Sequence, residues 1–186
     1  MPDMVEQQQK GFKLVGSDYI KAPAMRFIGL EGDALADVEV RRKLFRTLDG
    51  MSGYQSDYAF DILFMHHYGL GVDVGPWHGV WGRFMKPETP VPEGMLHFDL
   101  VPYDDGVAGP PYMSQFAYAV FSGDTDAMHR REGYDVDAMY DVTRNIMLGQ
   151  GVPIPYPGKY WTAEVFPDGF GKPGTAYLFS AELQES

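Results

Sequence analysis

One carboxylate stands out for the company it keeps. In Tyr160-Trp161-Thr162-Ala163-Glu164-Val165-Phe166, an extended chain with period two would put Tyr160, Thr162, Glu164 and Phe166 on one face. Trp161, Ala163 and Val165 would fall on the other face, an apolar surface suited to packing against a helix. Glu164 would then be a single acid among aromatic rings, apt for a cationic or hydrogen-bond-donating aromatic guest. Burial would also favour its neutral form and so fit it for general acid or base work. As an ordinary exposed acid it would do neither.

Other residues could complete such a site. The apolar run Asp61 to Tyr68 puts Ile62, Phe64, His66 and Tyr68 on one strand face, so His66 would stand in the first half where Glu164 stands in the second. A His–Glu pair could move a proton, although a histidine satisfied by a backbone carbonyl is the commoner outcome. Trp77 and Trp81 border a glycine-punctuated stretch and could wall a flat ligand. Tyr112, Phe116 and Tyr118 alternate onto one strand face, and Tyr112 or Tyr118 could lend a hydroxyl to Glu164 in catalysis. Tyr140, Tyr177 and Phe179 are weaker members of the same set.

Some chemistries find little support. With no cysteine, disulfides, thiolate nucleophiles and thiolate zinc sites are excluded. His66 and His67 are neighbours and would point apart on a strand; His97 and Asp99 share a face, but no His-Glu-x-x-His spacing occurs. There is no Gly-x-Ser-x-Gly elbow, and Gly69, Gly71 and Gly75 do not form a phosphate-binding loop. Neither metal nor cofactor is expected.

The chain that must position these residues has 186 of them, 45% hydrophobic and 22% charged, enough for one substantial core. Its formal net charge of −11 argues against wrapping a phosphate backbone. The basic group Arg41, Arg42, Lys43 and Arg46 reads as a solvated helix face. The polar N-terminus lacks the apolar core of a signal peptide and no run reaches membrane-spanning length, which makes a cytoplasmic protein the expectation. Twelve Tyr, twelve Phe, three Trp and eleven Met supply an aromatic and adaptable interior of the kind that also receives flat hydrophobic guests.

Along the chain, residues 1–22 read as an N-terminal arm and 23–183 as one domain. A strand follows Pro23, and a helix beginning near Asp33 carries Leu35, Val38, Phe45 and Leu48 until Gly50. Strands are expected at Asp61–Tyr68, Trp77–Met85 and Met95–Tyr103, with a proline-rich loop from Lys86 to Gly94. The second part offers strand Tyr112–Phe121, a helix from Asp137 to Leu148 ended by Gly149, and strands Tyr160–Phe166 and Thr175–Leu183. Gly32-Asp33 parallels Gly123-Asp124, and Gly50 parallels Gly149. The expected fold is therefore α+β: duplicated β-α-β-β modules, about 23–103 and 112–183, forming a curved antiparallel sheet with helices on one side and a central ligand cleft.

With Pro23-Ala24-Met25-Arg26-Phe27-Ile28-Gly29, the strand ending in Gly123, and above all the hairpin from Tyr160-Trp161-Thr162-Ala163-Glu164-Val165-Phe166-Pro167 through Thr175–Leu183, the chain resembles the GyrI-like small-molecule-binding, or effector-binding, domains. The resemblance spans roughly residues 23–183. It implies a duplicated module with a cleft that takes aromatic or cationic molecules. Members are often fused to helix-turn-helix DNA-binding parts; others stand alone as binding proteins, gyrase inhibitors or hydrolases of electrophilic cyclopropane compounds. This chain looks like a stand-alone member, since too little sequence precedes residue 23 for a DNA-reading part.

Three functions follow. The first is binding of small hydrophobic aromatic molecules, cationic ones among them, by Glu164, Tyr160, Phe166, Phe64, His66, Tyr68, Trp77, Trp81, Phe116, Tyr140 and Tyr177. The second is a hydrolase in which Glu164 is assisted by Tyr112 or Tyr118. The third is an acidic inhibitor module for a DNA-handling protein. Ligand identity and oligomeric state stay open.

Overall fold

The computed structural model describes residues 13–31, 38–53, 61–66, 78–102, 112–123, 161–167 and 174–180, with single positions at 139, 145, 149 and 169. In chain order its elements are β1 (Lys13–Lys21), β2 (Met25–Glu31), α1 (Val38–Asp49), β3 (Asp61–His66), β4 (His78–Met85), β5 (Leu96–Leu100), β6 (Gln115–Gly123), β7 (Trp161–Phe166) and β8 (Gly174–Ser180). The strands form one eight-stranded sheet in the order β1-β6-β8-β7-β3-β4-β2-β5. Every pairing between named strands is antiparallel. Central strands read as apolar runs because both of their faces are covered; edge strands mix polar and apolar residues. That is why all six residues of β7 are buried while β5 alternates between exposed and covered positions.

Two cores fill the two sides of this sheet. Phe27, Phe64, Phe84, Phe116 and Trp161 lie fully buried in one cluster with Ile62, Val80, Ala163 and Val165. Phe64 is its hub, stacked on Phe27 at 4.6 Å, on Trp161 at 5.2 Å and on Phe98 at 5.2 Å between ring centroids. The Tyr112–Ser114 segment crosses this side. Met113 bridges to Val101, its carbonyl accepts the Trp161 indole N–H at 2.9 Å, and the Ser114 hydroxyl donates to the Ala22 carbonyl at 2.7 Å.

The opposite cluster holds α1. Leu44, Phe45 and Leu48 recur on the helical period and bury against Ile28, Leu63, Trp81, Met85 and Phe166. Glu39 in the first turn and Arg46 in the last suit the helix dipole, and the Gly50 N–H donates to the Arg46 carbonyl at 3.2 Å where the helix ends. No described helix is long and apolar enough to cross a membrane.

The α+β class holds, but the expected pair of β-α-β-β modules around a central cleft does not. The strands make one open sheet ending at β1 and β5, with one helix described through its length and packed side chains on both faces. The closing strands expected for the two modules are not equivalent: the one expected at Met95–Tyr103 lies at the sheet edge as β5, whereas the one expected at Thr175–Leu183 is internal as β8, between β6 and β7. Hydropathy marks that a segment is extended without choosing its neighbour, so the repeat read from segment order matched the wrong strands. Residues 13–21, within the expected arm, form a nine-residue strand along β6. The expected helix Asp137–Leu148 lies outside the described residues except for Met139 and Asn145, which are helical, as is the expected stop, Gly149.

Candidate functional site

Glu164 sits near the middle of the sheet, on a strand flanked by β3 and β8. Its register partners are Leu63 and Leu178, and Leu63 in turn faces Trp81 on β4. The Glu164 side chain is thus held in a transverse row with Leu63 and Trp81, and the residue is only 5% exposed. Thr162 and Phe166, its period-two neighbours, are buried as well. A carboxylate retained in such apolar surroundings has a large desolvation cost unless polar partners meet it.

The side on which this row lies reverses an expectation. Trp161, Ala163 and Val165 were to pack beneath helices, yet they belong to the aromatic cluster across the sheet from α1. Phe166 and Leu63 share the α1 cluster, so Thr162 and Glu164 face the helix-bearing side. Both faces of a central strand are apolar, and alternation alone cannot say which one meets a helix.

Around this row α1 and β4 build a firm wall. The Trp81 ring lies 6.2 Å from Phe166 and 6.5 Å, edge to face, from Phe45 on α1. The Arg41 guanidinium stands 5.7 Å from the Trp81 ring centre. Arg83 is buried over Phe45 at 3.9 Å, its Nε donating to Asp49 at 3.0 Å and an Nη to Asp61 at 3.2 Å. That arginine fastens the C-terminal end of α1 to β3 and β4, which fixes Phe45 and, through it, Trp81.

The remaining expected site residues are divided between the faces. Glu164, Phe166 and Trp81 come together on the helix side. Phe64, Tyr112, Phe116 and Tyr118 lie with the aromatic cluster on the other side. The sheet therefore stands between Glu164 and the tyrosines, Tyr112 and Tyr118, expected to assist it. His66 pairs with Trp161 and His78, while Glu164 pairs with Leu63 and Leu178. Tyr177 pairs with Val165 and Val120. Tyr160, Tyr68, Trp77 and Tyr140 lie outside the described residues.

Both oxygens of Asp99, weighed as a metal ligand beside His97, are bound by Arg26 at 2.6 and 2.9 Å. Arg42, Lys43 and Arg46 are exposed as the helix pattern implied, and Arg42 pairs with Glu39. Sequence reasoning passed over Phe45, Arg41 and Arg83 as site residues. Arg83 did carry a signal: a lone charge inside the run Val80-Trp81-Gly82-Arg83-Phe84 is a mark of a buried ion pair.

No family model matches the chain, and no curated protein does. Among solved structures it is similar to an integron cassette protein from the mobile metagenome of Vibrio cholerae, with 7% identity over 91% of this chain and 97% of that one, at a TM-score of 0.39.

Proposed function

We propose that the protein binds small hydrophobic aromatic molecules, cationic ones foremost, against the helix-bearing side of the sheet, with Glu164 as the recognition group. The observation that carries this reading is the placement of one nearly buried carboxylate in a row with Leu63 and Trp81, close to Phe166. An apolar wall supplies the burial that drives association of a flat guest. A carboxylate in low dielectric attracts a cation more strongly than it would in water. The resemblance of the Tyr160–Phe166 strand to effector-binding domains points the same way.

Soaking crystals with proflavine, a flat cationic dye, tests this. The dye is expected beside Glu164 with its ring near Trp81 and Phe166. Dye found only on the outer surface, or none bound at all, would refute the proposal.

A further inference from the structure

β1 ends the sheet. Its inner side pairs with β6 from Lys13 to Lys21, and among the described residues no strand lies along its outer side. An outer strand offers its free N–H and C=O groups as a template for another chain. β1 contains strand-forming Leu14, Val15, Tyr19 and Ile20, and Val15 is 53% exposed. The most available partner for such an edge is the same edge on a second copy, since antiparallel pairing across a two-fold axis is self-complementary.

Three features oppose that pairing. Lys13 and Lys21 are exposed at the two ends of the strand. The ladder to β6 shifts register between Leu14 and Gly16, an irregularity that increases local twist. The third is chemical. The Tyr19 backbone N–H donates to the Asp18 carboxylate at 2.7 Å, at an exposed position. That amide is already satisfied when a new strand approaches, and the carboxylate presents negative charge to the carbonyl oxygen seeking the same proton.

We infer that Asp18 is an edge guard: by occupying the Tyr19 amide it keeps β1 from pairing with β1 of a second copy of this chain. The formal net charge of −11 acts in the same direction by making two copies repel. The guard is independent of the ligand site, for β1 and β7 are separated in the sheet by β6 and β8.

The test compares the full chain with Asp18→Ala and Asp18→Asn by sedimentation over roughly a hundredfold concentration range. Asp18→Ala is expected to self-associate at least about tenfold more tightly than the unaltered chain. Asp18→Asn keeps an acceptor oxygen and should fall between the two. Amide hydrogen exchange on the unaltered protein gives a second readout that needs no variant to fold: the Tyr19 amide should be protected. Unchanged association in Asp18→Ala, or free exchange at Tyr19, overturns the inference.

Discussion

Gly29 and Gly82 stand directly opposite each other in the pairing of β2 with β4. A methyl group on Gly82 would overlap the Ile28 carbonyl and come within 2.8 Å of the Phe27 ring; one on Gly29 would overlap the Trp81 carbonyl. The bare backbone here is what lets the two strands meet while Phe27 stays stacked on Phe64.

Gly82→Ala should therefore destabilise the fold by about 3 kcal/mol or more, since the obstacle is backbone that cannot rotate away. Urea unfolding measures it. A variant as stable as the parent would mean that β2 and β4 are not held this close.

Glu88 adopts φ 62°, a left-handed conformation that L side chains resist. It follows Pro87 in a turn in which the Thr89 N–H donates to the Lys86 carbonyl at 3.3 Å. Glu88→Gly should stabilise by about 0.5–1 kcal/mol, whereas Glu88→Val, branched at Cβ, should cost about 1 kcal/mol. Paired thermal melts check both signs; equal melting temperatures would count against the turn geometry.

Asp99 and Arg26 set one part of the acid response. Hydrogen bonds from the Arg26 guanidinium, with its charge, hold the Asp99 carboxyl below its ordinary value despite partial burial. A folded pKa below the unfolded one, near 3.9, means this pair's stabilisation is full above that value and is lost as pH falls through the folded pKa. Asp99→Asn removes the proton linkage, so its stability should decline less steeply than the parent's under acid. Melting curves recorded down the pH scale decide it: parallel declines would contradict the assignment.

The sequence made strands and helix legible where one face dominated. Leu44, Phe45 and Leu48 on the α1 period, Pro23 before β2 and the three prolines between β4 and β5 all had local causes. β1 was illegible because Gly16, Ser17 and Asp18 interrupt its apolar residues, and what keeps it extended is its ladder to β6, a distant partner. Glu164 was found from its neighbours, but its face was misjudged, because Trp161 and Val165 on one side and Phe166 on the other are equally apolar. Arg83 bridging Asp49 and Asp61 depends on three segments meeting, and no local pattern records that.

Recognition of the guest turns on the Glu164 charge, and calorimetric titration with proflavine and with acridone, a neutral ring system of similar shape, addresses it most directly. The parent chain should prefer proflavine. Glu164→Gln, which keeps the shape and one acceptor oxygen but loses the charge, should lose affinity for proflavine by about tenfold or more while binding acridone nearly as before. Equal proflavine affinity in the parent and in folded Glu164→Gln would contradict the claim that this carboxylate recognises the guest.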